Sequence, residues 1–271
     1  GKNLGYAANL PPTVSAGSAA THQDLEVAID LTGLAIDNEG DPIAFRIIGA
    51  EHGAGRLIGD GRAVLFMPDS GYTGAAQVEI VAEDGFAVSA PAVITVNVSD
   101  APLVNLDFQV RNPRLWVGEI ARLSVIGDFG DEQDVVLPSS YLHFESTNMA
   151  AAIVSTIGQV TALGDGSGVL LGSSHGIQAA TAVTVGFPTD QTDRFLYLLG
   201  LEAYPEAFTL SSDGGQRQLR AGLDDTYALT STSTGTLYYV SNPAIVQIDH
   251  EGMVTAKAPG SATLTVIHGP A

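Results

Sequence analysis

Asp37, Glu39 and Asp41 alternate around Gly40 and form the sharpest chemical candidate in the chain. Alternating carboxylates on a glycine turn aim several oxygens at one point, which is what Ca2+ demands with its 6–8 oxygen ligands. The spacing is not that of the twelve-residue EF-hand loop. Glu83 and Asp84 form the other conspicuous acidic turn, and Asp84 joins the set only if the fold brings the two loops together. A reading without an ion stands beside this one, because Asp and Gly also serve simply as turn formers. The candidate metal ligands are therefore Asp37, Glu39, Asp41 and Asp84, and calcium is the only cofactor the sequence raises. A second cluster holds Asp128, Asp131, Glu132 and Asp134, with Asp224-Asp225 in the comparable region of a later segment. A loop composition that recurs in this way reads as a solvated turn.

Other chemistries find no support. Gly164-Asp165-Gly166-Ser167-Gly168 looks like a phosphate-cradling loop, but it lacks the Lys-Ser/Thr ending and the helix that would follow. The six histidines are scattered without metal-ligand spacing. No Gly-x-Ser-x-Gly elbow marks a nucleophile, so no catalytic residue is assigned. Trp116 is the sole tryptophan. Beside Leu115 and Val117 it is expected to pack at a domain edge. Tyr238 and Tyr239 must project to opposite faces of a strand, one into a core and the other outward.

Composition sets the frame that must position these groups. With 271 residues, 45% hydrophobic and 15% charged, the chain is long enough for two or three domains that each bury a core. Val, Thr, Ile, Gly and Ala predominate, and no stretch combines sustained 3.6 periodicity with capping signals, so β structure is expected throughout. The net charge of −19 divides into −9, −5 and −5 over residues 1–100, 101–188 and 189–271. No segment offers a basic face, which argues against nucleic-acid binding. No apolar run reaches the roughly 18 residues of a membrane span, so direct membrane insertion is not expected. The absence of cysteine excludes a disulfide framework and thiolate metal sites. The abrupt start at Gly1-Lys2-Asn3 reads as a mature or excised piece of a longer polypeptide.

A repeat organises the second half of the chain. Asn148 falls on Asn242 with an offset of 94 residues; so do Gly158 on Gly252, Val160-Thr161-Ala162 on Val254-Thr255-Ala256, and Gly166-Ser167 on Gly260-Ser261. A period near 90 residues exceeds the roughly 20–50 of solenoid units and suits whole β-sandwich domains of about 100 residues in tandem. The first segment shows its own strand alternation in Asp24–Leu31, Ile43–Ile48, Ala63–Met67, Gln77–Ala82 and most clearly Pro91–Val98. The fold class is therefore all-β, three tandem β-sandwich domains, over residues 1–100, 101–187 and 188–271, and the resemblance described next makes them Ig-like. The last unit has no counterpart of the Ala179–Val185 strand after Ala271. It is read as cut short, with a strand borrowed from elsewhere as the alternative.

Several of these elements resemble known families. Asn9-Leu10-Pro11-Pro12, the 37–45 segment, Met67-Pro68 before Gly71-Tyr72-Thr73-Gly74, and Glu83-Asp84-Gly85 before a closing Ile-x-Val-x-Val strand resemble, in that order, bacterial cadherin-like or tandem Ig-like repeats. The second and third units resemble the bacterial group 2 Ig-like domain of intimin- and invasin-type adhesins. The residues carrying this are Leu115–Gly118, Glu145–Asn148 and Gly158–Ala162 in the second unit, and Tyr238–Pro243, Gly252–Ala256 and Pro259–Thr265 in the third. In the second unit Met149 stands where the pattern has proline. The cadherin-like resemblance implies Ca2+ between domains, with Asn9 or Asp100 near the linkers.

Together these readings imply a non-catalytic, rod-like spacer or adhesive stalk of an exported bacterial surface protein, with an extracellular or cell-surface location. Short linkers at 99–102 and 186–189 would limit bending. Its partners would be a protein or carbohydrate ligand and further domains of the same polypeptide. The alternatives are an accessory region of a secreted polysaccharide-active enzyme and a phage virion surface domain.

Overall fold

The computed structural model describes residues 9–223 and 228–271. The chain divides into two compact units, Gly1–Ala101 and Pro102–Ala271.

In the first unit, β1 (Thr13–Val14), β2 (Gly17–His22), β3 (Val27–Asp30) and β4 (Ala35–Ile36) are followed by β5 (Ala44–Glu51) and β6 (Gly53–Ile58). The unit closes with β7 (Ala63–Pro68), β8 (Gly74–Glu83) and β9 (Ala92–Ser99). One sheet has the order β2-β9-β8-β5 and the facing one β3-β7-β6, with β1 and β4 paired separately. Alternation decides which side of each strand goes in. Ile94, Val96 and Val98 of β9 are buried, whereas Thr95 is half-buried and Asn97 exposed. The inward residues meet Ile29, Val64, Phe66, Val78 and Ile80 from the other strands in one core. Gly53 is required by close approach, since a Cβ there would lie 2.4 Å from the Phe66 ring.

The second unit contains two sandwiches. The first is built from β10 (Leu103–Phe108), β11 (Arg114–Leu115), β12 (Ile120–Arg122), β13 (Val125–Phe129) and β14 (Val135–Leu137). It continues with β15 (His143–Ser146), β16 (Ala152–Val154), β17 (Gln159–Ala162), β18 (Gly166–Ser174) and β19 (Ile177–Val185). A helix, α1 (Gln191–Leu199), precedes the second sandwich. That sandwich comprises β20 (Glu202–Tyr204), β21 (Gln216–Gln218), β22 (Arg220–Gly222), β23 (Thr236–Val240), β24 (Val246–Ile248), β25 (Met253–Ala256) and β26 (Leu264–His268).

The repeat holds at the level of single hydrogen bonds. The amides of Ala151 and Ile245 donate to the carbonyls of Asn148 and Asn242, each at 3.1 Å. Gly158 and Gly252 donate to Ser155 and Asp249 at 3.0 and 3.1 Å, and Leu163 and Lys257 to Ala151 and Ile245, both at 2.7 Å. Both turn glycines have positive φ, 70° and 80°, a conformation that glycine adopts without a Cβ clash. Met149 occupies the proline position without altering this corner: the bonds there use the asparagine carbonyl, and the Met149 side chain points to solvent.

The helix corrects the expectation of strands alone. Asp190 caps it, accepting from the amides of Thr192 at 2.8 Å and Asp193 at 3.2 Å, and Gly200 ends it at φ 89°. It follows the short connection at 186–189. Leu196 is fully buried, the Tyr197 ring meets Phe187 edge-on at 5.2 Å, and the Arg114 guanidinium lies 4.1 Å from the Tyr197 centroid.

The two sandwiches of this unit are packed together. Residues of β19 alternate between two apolar environments. Val183 and Val185 face the first sandwich's own core with Val160 and Leu170. Ala180 and Ala182, with Val169, meet Ile267 and Tyr239 of the second sandwich. Tyr239 therefore does not project into solvent as expected; it is half-buried in this joint, while Tyr238 packs on the core around Val254. Hydrogen bonds fix the register. The Gln178 amide donates to the Ser241 carbonyl at 2.9 Å and its side chain to the Val240 carbonyl at 3.0 Å. Thr263 Oγ1 donates to Asn105 Oδ1 at 3.1 Å, and Asn112 Nδ2 to the Pro270 carbonyl at 2.7 Å.

Candidate functional site

The four candidate ligands fall in two turns. In the loop after β4, Asp37 Oδ1 accepts from the amides of Glu39 at 3.0 Å and Asp41 at 2.9 Å, so this carboxylate closes the turn by itself. Asp37 Oδ2 is buried and has no hydrogen-bond partner among the described residues. Glu39 is exposed and Asp41 half-buried. Asp84, after β8, is buried and already engaged. Its Oδ1 accepts from Phe86 and Ala87, both at 2.7 Å, and its Oδ2 from Asn9 Nδ2 at 2.9 Å. The Asn9 amide and then the Ala87 amide hold this carboxyl below the ordinary aspartate range. Asn9, raised by resemblance as a linker ligand, thus ties the entry segment to the Asp84 turn. Among the described residues no group of three or more His, Asp or Glu side chains converges in a way that could hold a metal.

The second acidic cluster is a turn with a structural role. Phe129 donates to the Glu132 carbonyl at 2.7 Å, and Asp128 accepts from the Asp134 amide at 3.0 Å and Asn105 Nδ2 at 3.2 Å. Asp128 thereby orients Asn105, whose Oδ1 receives Thr263 across the joint between sandwiches. Asp224 and Asp225 lie outside the described residues.

Trp116 departs from expectation. It is 64% exposed, not packed at an edge. Leu115 of the two-residue β11 turns inward onto the core, which sends the next side chain outward. The turn is then locked, with the Trp116 amide donating to Glu119 Oε2 at 2.8 Å and Glu119 donating to the Trp116 carbonyl at 2.9 Å. The adjoining sheet β12-β17-β16 carries Ile120 and Ile153 opposite Thr161, and both isoleucines are exposed. An aromatic turn beside an aliphatic sheet face is a surface suited to contact. The sequence gives the residues of this face but not their exposure, which depends on which side of two very short strands goes in.

Two family models match parts of the chain. Residues 9–97 match the family model described as bacterial Ig domain, and residues 227–269 that described as intimin, immunoglobulin-like domain. The chain therefore carries bacterial Ig-like domains, and the hydrogen-bond repeat relates the middle sandwich to the last. No curated protein matches the chain. Among solved structures it is similar to human protocadherin-24 EC1-2 at 15% identity and TM-score 0.30, covering 66% of this chain and 99% of that one. It is similar to domains 1-6 of the surface layer protein SbsC at 15% identity and TM-score 0.26, covering 96% and 38%. It is similar to the endo-fucoidan hydrolase MfFcnA9 of glycoside hydrolase family 107 at 14% identity and TM-score 0.30, covering 65% and 34%. The chain spans little more than a third of the last two proteins. Among the described residues no helix is long and apolar enough to cross a membrane, which says nothing of a β-barrel.

Proposed function

We propose that this chain is a non-catalytic spacer or adhesive stalk segment of an exported bacterial surface protein, and that it works mechanically. The observation that supports this most is the joint within residues 102–271. A spacer transmits position only if its modules do not swing, and flexible linkers between sandwiches would defeat that. Here one strand, β19, is shared between two apolar clusters, four hydrogen bonds cross the joint, and a helix, Gln191–Leu199, lies within the connection. Spin labels on Gln159 and Gln247, both exposed strand positions on separate sandwiches, test it by pulsed dipolar spectroscopy. One narrow distance distribution is expected. A broad distribution would mean that the sandwiches move independently, and the mechanical reading fails.

The adhesive part of the proposal rests on the exposed Trp116, Ile120 and Ile153 face, whose partner would be a protein or a carbohydrate. Calcium belongs to the proposal at the Asp37 loop alone. Asp37 Oδ2 is buried and unpaired and Asp41 lies four residues on, so an ion there would take oxygens from these two and complete its shell with water and carbonyls. Thermal unfolding in EDTA and in millimolar CaCl2 decides it. A higher midpoint for the first unit in calcium is expected, removed by Asp37→Asn with Asp41→Asn. Equal midpoints would leave these residues as turn formers.

A further inference from the structure

The two sandwiches of residues 102–271 share a backbone plan but not the outer face of one sheet. In the middle sandwich that sheet is β12-β17-β16, and in the last it is β21-β25-β24. Thr161 pairs with Ile120 on one side and Ile153 on the other, and Thr255 pairs in the same way with Gln216 and Gln247. Val160 and Ala162 are buried, so Thr161 and Leu163 face outward. The turn that leads into the sheet is equivalent as well. The amides of Glu119 and Gly215 donate to the Trp116 and Ser211 carbonyls, both at 2.9 Å. The carbonyls of Glu119 and Gly215 accept from Ala162 and Ala256 at 3.0 and 2.9 Å. These matches place Trp116 on Ser211, Ile120 on Gln216, Ile153 on Gln247 and Leu163 on Lys257, and all of these side chains are exposed.

A backbone plan used twice supplies its own control. The last sandwich forms with serine, glutamine and lysine at these positions, so neither the sheet nor the turn needs an apolar residue there. Apolar side chains clustered in water where the fold accepts polar ones point to a contact beyond the sandwich.

The face is also self-complementary. Arg122, paired with Gln159, is exposed at one end, and Trp116 with Glu119 at the other. A two-fold axis along the Ile120–Thr161–Ile153 row lays each isoleucine on its own counterpart. It also brings Arg122 of one protomer over the partner's Trp116 and Glu119. There the guanidinium meets an aromatic ring and a carboxylate, and the symmetry makes the contact twice. The charges cancel within the face, which matters for a chain of net charge −19 whose copies repel elsewhere. The exposed side chains present roughly 600 Å2 per copy, so two faces bury about 1,200 Å2, the lower edge of a standard interface. A row of aliphatic side chains offers few partners to the hydroxyls of a sugar.

We propose that the face of Trp116, Ile120 and Ile153 pairs with the same face of a second copy of this chain, forming a reversible two-fold dimer. The proposal rests on the adhesive reading of this face and names its partner. Display of many copies on one surface raises their effective concentration, so neighbouring stalks are held side by side.

Sedimentation velocity of the full chain from about 1 μM to about 500 μM tests it. A monomer–dimer equilibrium is expected. Ile120→Gln with Ile153→Gln, the residues of the last sandwich at these positions, should weaken it at least about tenfold. An unchanged thermal midpoint shows that this variant folds. The chain has no cysteine, so Ile120→Cys, on the axis, should give a disulfide-linked dimer under mild oxidation, whereas Gln216→Cys on the sibling face should not. A monomer throughout, a dimer not weakened by the glutamines, or equal cross-linking of both cysteine variants overturns the proposal. Affinity electrophoresis in laminarin, xylan and alginate separates that failure from failure of the adhesive reading. A monomer that these polysaccharides retard, with the retardation lost in the glutamine variant, overturns the pairing and keeps the face adhesive toward carbohydrate. A monomer that none retards overturns the pairing and leaves the mechanical reading, decided by distances within one chain, to stand alone.

Discussion

Ile267→Ala tests whether the two sandwiches of residues 102–271 are one energetic unit. Ile267 sits on β26 of the last sandwich but is buried, 3% exposed, against Val169, Ala180 and Ala182 of the middle one. Truncating a buried isoleucine to alanine costs about 2–5 kcal/mol, more when the site cannot collapse around the gap. Its partners on β19 are alanines on a strand held from behind by Val183 and Val185, so they have little side chain with which to refill the space. A loss near the middle of that range, about 3 kcal/mol, is expected against a domain stability of about 5–15 kcal/mol. The assay is hydrogen exchange by mass spectrometry under mild urea, read separately in Ile177–Val185 and Leu264–His268. Both segments should lose protection, because the Gln178 amide is hydrogen bonded across the joint. Combined with Ala182→Gly, the change should show a coupling energy of about 0.5–3 kcal/mol, the range for residues in contact. Loss confined to Leu264–His268, with additivity in the double variant, would refute the reasoning and make the joint a contact without energetic weight.

Four further outcomes follow from local geometry. Val254→Asp buries an unpaired carboxylate in the last core and should unfold that sandwich while leaving the thermal transition of the first unit unchanged, measured by calorimetry. Gly215→Ala should destabilise the same sandwich by about 1–3 kcal/mol, since a Cβ would lie 2.6 and 2.7 Å from the backbone N and O of Ser211; urea denaturation reads it. Burial holds the His268 imidazole below its ordinary value, partly offset by Asp193, so the folded state binds that proton less well. Stability should fall as pH drops through about 6.5 toward the lower folded value, and His268→Gln should flatten that slope in pH-dependent melts. Asp84 is shifted down by Asn9 and Ala87, so its contribution is present at neutral pH and lost as pH falls through its folded value; Asp84→Asn should weaken the first unit at pH 7 and lessen its acid sensitivity.

The sandwiches were legible because their strands alternate. β9 follows the expected pattern residue for residue, and the offset of 94 between Asn148 and Asn242 survives as matched hydrogen bonds. The helix was not legible by periodicity: over nine residues only Leu196 is buried, so there is no repeating apolar face to detect. Its signals were terminal, Asp190 as cap and Gly200 after the last turn. The acidic turns were legible only as two alternatives, since an aspartate that closes its own turn and one that waits for a metal have the same local sequence. Asp84 is distinguished only by Asn9, 75 residues away.

The joint between sandwiches could have been read from β19 itself. A strand with one solvent face carries polar residues on it, as Asn97 marks the outer side of β9. In Ala179–Val185 the only polar side chains are Thr181 and Thr184, and both are buried. Thr181 Oγ1 accepts from the Asn112 amide at 2.7 Å, a partner inside the protein instead of water. A strand without an outward polar residue needs a cover on both sides, and the isolated middle sandwich has only one core to offer. The second cover must come from elsewhere in the chain, and Ile267 and Tyr239 supply it. The alanines at 180 and 182 then have a reason: small side chains let the neighbouring sandwich approach closely enough for the Gln178 amide to reach the Ser241 carbonyl at 2.9 Å. Apolar burial and main-chain hydrogen bonding at this joint depend on the same residues, so a module that lost one would lose the other, and the stiffness proposed for the segment is a property of the pair of sandwiches.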